Sequence, residues 1–269
     1  VQRAIEAQES IITATTELQK ALMQKLFTEG LHGEPQKQTE IGPVPESWEV
    51  KMIAELADSV TKGSSPRWQG FDYLEDGVLF IRSQNVGNGY VDLSERAFVS
   101  EHFNHKHSKS VISAGDLLLN IVGASIGRVA VASEKLNGAN CNQAVCIVHS
   151  REGSSTLRYV KHFLLTYSGQ FQMLRQKKDI ARANLSLTDV KGLQVPVPPS
   201  DSETGKITET LDIMDKKVAK GIKRNSILTE LFNTLLHQLM TAQVRVNDID
   251  LSFLDDLSTD DTARREEAG

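Results

Sequence analysis

The chain has 269 residues, 39% of them hydrophobic and 24% charged, with a net charge of −5; that suits one large globular domain or two modest ones. No apolar run approaches the ~18 residues of a membrane span, and the N-terminal VQRAIEAQES is amphipathic and acidic, unlike a secretory signal. Two cysteines, Cys141 and Cys146, exclude a disulfide framework and fit the reducing cytoplasm.

Residues 1–30 predict a helix. Ile5, Ile12, Leu22 and Leu26 follow a 3–4 spacing, with Gln8, Thr15 and Gln19 completing the seam and Ile11 and Leu18 widening the stripe. Gly30 fits a C-cap, and Pro35 blocks continuation. Residues 31–47 are polar, Gly- and Pro-rich, and read as a linker. Its prolines argue for limited stiffness.

Residues 48–200 predict a mixed α/β domain. Gly77–Val86, Gly115–Gly123, Gly127–Ser133 and Gln143–Ser150 are short, rich in Val, Ile and Leu, and bounded by Gly or Asn, as strands are. Residues 155–177 have helical spacing, with Leu157, Val160, Leu164, Tyr167, Phe171 and Leu174 on one side. Leu193–Pro198 then leads into a second long helix over 201–246, capped by Asp201 or Ser202 with Glu203 in its first turn. Forty residues of helix reach roughly 60 Å.

The stripe of this second helix includes Val218, Asn225, Leu228, Leu235 and Leu239. At an offset of 213 residues, Thr16-Glu17-Leu18 falls on Thr229-Glu230-Leu231, Leu22 on Leu235 and Leu26 on Leu239. The helices read as a repeated element. Neither stripe suits solvent, so mutual pairing is expected through Ile5, Ile12, Leu22, Leu26, Val218, Leu228, Leu235 and Leu239. The tail 247–269 holds eight acids against two arginines and is expected to be disordered.

Catalytic signatures are absent from the sequence. Gly123–Arg128 resembles a phosphate loop only loosely, because the Gly-Lys-Ser/Thr end is missing. His102, His105 and His107 raise a metal question, but no Cys or acid stands at ligand spacing, and no metal is expected. Cys141 suits a buried apolar position better than a nucleophile's. What remains are Gly-bounded loops whose side chains suit nucleic acid. They are Lys62, Ser64, Ser65, Arg67, Trp68 and Gln69; Arg82, Ser83, Gln84 and Asn85; His105, Lys106, His107 and Lys109; Arg128; Asn142 and Gln143; Arg182 and Asn184. Arg pairs bidentately with guanine and Asn or Gln with adenine, while Lys and Ser hold phosphates.

LFTEGLHGEPQKQTEIGPVPESWEV (residues 26–50) resembles the segment that joins the central conserved helix to the second target-recognition domain in specificity subunits of type I restriction–modification enzymes. GVLFIRSQNV, GDLLLNIVGASIGRVAV and NCNQAV resemble that domain's strand motifs, and LSLTDVKGLQVPVPP its exit; the similarity covers about residues 1–250. The resemblance implies a target-recognition domain reading one half of a split DNA site, flanked by helices that pair as an antiparallel coiled coil and fix the spacing. It implies a non-catalytic, cytoplasmic subunit that scaffolds methyltransferase and restriction–translocase subunits. S-adenosylmethionine, ATP and Mg belong to those partners, and the helices offer a surface for self-association. It also implies that a first recognition domain precedes this sequence. The family's Glu-Gln pair before Lys-Ile is replaced by Glu203-Thr204 ahead of Lys206-Ile207. Two other possibilities stay open: the specificity region of a fused restriction–methylation enzyme, and a coiled-coil interaction protein that binds no DNA.

Overall fold

The computed structural model describes residues 1–151, 155–175 and 184–241. In chain order the elements are α1 (Gln2–Glu29), β1 (Gln36–Thr39), β2 (Gly42–Pro45), β3 (Glu49–Met52), α2 (Ile53–Leu56), β4 (Ser59–Lys62), β5 (Val78–Ile81), β6 (Phe98–Val99) and α3 (Glu101–Lys106). There follow β7 (Leu117–Asn120), β8 (Val129–Val131), β9 (Asn140–Cys141), β10 (Val145–His149), α4 (Thr156–Leu164), α5 (Tyr167–Arg175), α6 (Leu187–Lys191), β11 (Gln194–Val197) and α7 (Asp201–Met240). They fall into two units: Thr16–Lys216, and Val1–Thr15 with the part of α7 from Lys217 onward. The acidic tail 247–269 lies outside the described residues.

The larger unit is built on an antiparallel sheet in the order β4-β10-β7-β8. Alternation along these strands sends side chains to opposite faces. Leu117, Leu119, Val129, Cys146 and Val148 face a core shared with α4, the end of α1 and the start of α7. Leu118, Ala130, Val145 and Ile147 face a second core with Ile81 of β5, Cys141 of β9 and Ile112. A smaller sheet, β6-β5-β9, pairs β5 and β9 in parallel, and β11 pairs with β3.

Residues 31–47, expected as a linker, fold instead as a β1–β2 hairpin in which Gln36 faces Pro45 and Gln38 faces Pro43. Ile41 and Val44 are buried in the main core, and Lys37 Nζ donates to the Glu46 carbonyl at 2.8 Å. Two prolines within β2 and a polar first strand hid it, because between Gln36 and Pro45 only Ile41 and Val44 are large and apolar. The single helix expected over 155–177 is two. Thr166 Oγ1 donates to the Phe163 carbonyl at 2.7 Å and accepts from the Gly169 amide at 3.2 Å. A Cβ on Gly169 would lie 2.5 Å from Leu164 Cα, so only glycine allows this tight restart. The stripe divides there. Leu157, Val160 and Leu164 are buried, but Tyr167, Phe171 and Leu174 turn outward.

The helices α1 and α7 pair as expected, and within the larger unit the pairing is antiparallel. Gln19 Nε2 donates to Asp215 Oδ1 at 2.5 Å, and the Leu31 amide donates to Glu203 Oε1 at 3.3 Å. One pairing lies further along α1 and further back on α7. Glu203, the residue at the family's altered motif, is therefore buried as a partner of the α1 C-terminus. The cap of α7 is Ser200, whose Oγ accepts from the Glu203 amide at 3.2 Å, rather than Asp201 or Ser202.

Helix α4 binds this pair to the sheet. Phe27 of α1 packs tilted on Tyr159 and edgewise on Phe163, at 5.2 and 5.3 Å between centroids. Beside it, Lys161 is only 5% exposed. Its Nζ lies 3.2 Å from Asp212 Oδ1 and 2.7 Å from Asp215 Oδ2, and Arg158 also pairs with Asp212. Burial would raise the Asp212 carboxyl, but hydrogen bonds from His162 and Arg158 and the Lys161 charge hold it well below the usual carboxylate range. Burial pushes the His162 imidazole down against its bond to Asp212. It is therefore neutral, donating Nε2–H to Asp212 at 2.8 Å. His162, Asp212 and Asp215 are close enough to share a metal ion. The Lys161 ammonium already stands between both carboxylates, where a cation would compensate them.

In the smaller unit, Gly221 of α7 meets Gln8 and Ile12 of α1; a Cβ there would lie 3.1 Å from Ile12 Cγ1 and 3.4 Å from Gln8 Nε2. Gln8 is buried and Ile5, Val218 and Leu228 half-buried, whereas Leu239 is exposed. Pairing does not cover both stripes. Ile11, Leu18, Ile213, Ile222, Ile227, Leu231, Leu236 and Met240 remain exposed, contrary to the expectation that the helices satisfy each other. An antiparallel pair buries one seam per helix, and these residues lie off it.

Two consequences can be measured. Asp212→Ala strips Lys161 and His162 of a buried partner and costs about 3–5 kcal/mol, read in urea unfolding at pH 7. The depressed carboxyl contributes above its unfolded value of about 3.9 and loses its contribution as pH falls through the folded value, so the mutant and wild type converge in strong acid. Gly221→Leu costs about 1–3 kcal/mol through overpacking. Gly205→Leu, also on α7 but with no atom within 4 Å of its Cβ position, leaves the thermal midpoint unchanged or raised.

Candidate nucleic-acid interface

The C-terminal ends of β4, β5, β7 and β9 meet at one rim of the larger unit, and backbone hydrogen bonds tie their loops together. The Ser64 amide donates to the Cys141 carbonyl at 3.1 Å, and the Asn142 amide to the Ile81 carbonyl at 2.9 Å. Ile121 N donates to Ala144 O at 3.0 Å, and Leu185 N to Ile121 O at 2.9 Å. Asn120 Nδ2 reaches the Ser83 carbonyl at 2.7 Å. Gly63 makes the closest approach, because a Cβ there would lie 1.9 Å from the Cys141 carbonyl oxygen. The glycine of KGSSP is therefore required by contact.

This rim gathers most of the residues expected to bind nucleic acid. Lys62, Arg67, Trp68, Gln69, Gln84, Arg128 and Asn184 are exposed on it; Ser64, Ser65, Ser83, Asn142 and Gln143 are half-buried. Among the described residues, no ion pair engages Lys62, Arg67 or Arg128. Arg82 Nε, Asn120 Oδ1 and Gln143 Oε1 are buried there with no hydrogen-bond partner among the described residues. Polar atoms left so are costly, and three of them stand close together at this rim. Asn120 carried no sequence signal, because it closes an apolar strand.

Other expected residues serve the scaffold. Asn85 is buried. Its Oδ1 accepts from the Arg82 amide at 2.9 Å, and its Nδ2 donates to the Asp92 and Glu95 carbonyls at 2.9 and 3.0 Å. Its amide is thus spent on shaping the loop rather than offered to a base. Glu95 also holds Arg82, whose Nη2 lies 3.8 Å from its carboxylate, and Gln84, whose Nε2 donates to it at 3.1 Å. Both are pre-oriented by an acid rather than loose in solvent.

The His102–Ser110 segment is only partly on this surface. Lys106 Nζ lies 5.3 Å over the Phe71 ring, which places it beside the Arg67–Gln69 turn. His105 is exposed. His107 packs at 4.5 Å and a tilt of 38° on Phe103, with Nε2 buried and unpartnered among the described residues; burial and then the Lys106 charge push its pKa down. A neutral, packed imidazole is a poor phosphate ligand. Lys109 stands near His149, at the far end of the β4–β10 ladder from Lys62. Arg182 lies outside the described residues.

The loose phosphate-loop resemblance fails on geometry. The amides of Ile126, Gly127 and Arg128 donate to Gly123, Asn120 and Ser125 carbonyls, so they do not converge on an anion. Cys141 and Cys146 are fully buried; burial pushes both thiols up, Cys146 to about 12. Neither is a nucleophile at neutral pH. No helix among the described residues is long and apolar enough to cross a membrane.

Fold and rim together define the class: a mixed α/β domain flanked in sequence by two long helices that pair antiparallel within the larger unit. Residues 45–229 match the family described as the type I restriction modification DNA specificity domain, and the chain belongs to that family. It is 26% identical over 215 residues to the type I restriction enzyme EcoBI specificity subunit of Escherichia coli, covering 77% of this chain and 45% of that protein. It is 24% identical over 245 residues to the MjaVIII specificity subunit of Methanocaldococcus jannaschii, covering 88% and 56%. The fold resembles that of the HsdS subunit from Thermoanaerobacter tengcongensis, with a TM-score of 0.54, 17% identity and coverage of 88% and 54%. It also resembles the S subunit of a type I system from M. genitalium, with a TM-score of 0.59, 17% identity and coverage of 87% and 56%. The chain spans about half the length of the curated relatives it matches.

The burial of both thiols predicts that Ellman's reagent titrates neither cysteine in the native protein and both in guanidinium chloride.

Proposed function

We propose that this chain is the DNA-reading part of a type I specificity subunit, contacting one half of a bipartite duplex site and catalysing nothing itself. The observation that carries this is the convergence of four strand ends on one rim, with Lys62, Arg67 and Arg128 exposed and unpaired among the described residues. Lys62, Arg128 and the serines of KGSSP suit phosphates, which set register. Gln84, Gln143, Asn184 and the Glu95-braced Arg82 suit base edges in the major groove. Family membership supports the same assignment.

The helices supply the scaffold in this proposal. Their exposed Ile and Leu residues offer apolar surface to methyltransferase subunits, to a restriction–translocase subunit, or to a second copy of the chain. S-adenosylmethionine, ATP and Mg then belong to the partners.

Binding is expected to weaken steeply with salt, because phosphate contacts release counterions. Fluorescence anisotropy on duplexes enriched from a random library measures this. Lys62→Ala and Arg128→Ala each weaken all duplexes alike and flatten the log–log salt slope by about one. Gln84→Ala changes discrimination at one base pair by about 1–3 kcal/mol. A salt-independent affinity would sink the assignment.

A further inference from the structure

We propose that Trp68 is a wedge: on binding, its indole enters a base step of the duplex and unstacks it, so that the domain senses deformability as well as base edges. The inference rests on the DNA-reading function proposed above.

Trp68 is 82% exposed, whereas the chain's other tryptophan, Trp48, is 0% exposed. A solvated indole is a large unused apolar surface, and this one is placed deliberately by its surroundings. It sits in the middle of the Arg67–Gln69 turn, at the rim where the strand ends converge. Arg67 leans over the Tyr73 ring at 5.9 Å. The turn is fixed on both sides. Upstream, Gly63 is wedged against the Cys141 carbonyl. The buried Pro66 offers its carbonyl to the Gln69 and Phe71 amides at 2.9 and 3.0 Å. Downstream, Gly70 takes a left-handed conformation with φ 79°. Phe71 packs edgewise on Phe103 at 5.3 Å, and Tyr73 on Phe80 at 5.7 Å. Its aromatic neighbours Phe71 and Tyr73 are each held edgewise on a buried ring, and Tyr73 is 37% exposed against 82% for Trp68.

A side chain on so rigid a turn loses little entropy on binding. It has no charge for phosphate, and its single N–H gives little base discrimination. Intercalating apolar side chains open a base step and kink the duplex, and the distortion is offset by added contact. Its ease depends on sequence, with pyrimidine–purine steps yielding most readily. Cations flanking the turn, Arg67 and the Lys106 held over Phe71, would straddle the opened step at the backbone.

The test uses the full chain and duplexes enriched from a random-sequence library. Acrylamide quenching reports Trp68, since Trp48 is shielded. Saturating duplex should protect the quenchable emission, and duplexes labelled at both ends should show shortened end-to-end distance by energy transfer. Trp68→Ala should bind about 10- to 100-fold more weakly, with the salt slope unchanged and the bend lost; Trp68→Phe should recover most of both. Trp68 still quenchable in the saturated complex, or Trp68→Ala binding and bending like wild type, overturns the wedge and leaves DNA reading intact. Failure of the wild-type chain to bind any duplex overturns both.

Discussion

The molecule depends on how helix α4 is clamped between the sheet and the two long helices. Phe27 presses on Tyr159 and Phe163 from one side, and Asp212 and Asp215 bind Arg158, Lys161 and His162 from the other. An aliphatic seam alone tolerates small slips of register. A buried lysine shared by two carboxylates does not, because a shift leaves a charge unpaired in low dielectric. The clamp therefore fixes the start of α7 and the end of α1 against the sheet, and so fixes where the loops at the strand ends are presented.

The rim follows from strand direction. Because β4 and β7 both pair antiparallel with β10, and β9 runs parallel to β5, loops distant in sequence emerge together. Backbone hydrogen bonds between the loops keep them in place, which leaves side chains such as Lys62, Trp68 and Arg128 available to solvent. Glu95 does a different job: its carboxylate lies against both Arg82 and Gln84 and orients them.

The exposed apolar residues of α1 and α7 have a common physical origin. Each stripe is wider than the seam one antiparallel neighbour can cover, so residues flanking Gln8, Gln19 and Asn225 stay outside. Among the polar seam residues, Gln19 is bonded to Asp215, and Asn225 Oδ1 is buried without a partner among the described residues.

The sequence pattern determined the long helices and three of the four strands of the main sheet, β7, β8 and β10, because a 3.6 or a 2-residue repeat is imposed locally by the face each element buries; it missed the edge strand β4 and placed the cap of α7 one or two residues late. The Gly-bounded polar loops were equally legible as candidate contacts. Only the tertiary structure decided which of them share a surface. It put Lys62, Arg82, Arg128 and Asn142 on one rim through pairings of long sequence separation. It turned Asn85 and His107 inward to serve the loop and the core, and sent Lys109 toward the far end of a strand ladder. It also made a hairpin of residues 36–45 and broke the helix at Thr166. In both places the deciding contacts, Ile41 and Val44 against the core and Gly169 against Leu164, are made across the fold or through a single missing Cβ. No local pattern records either.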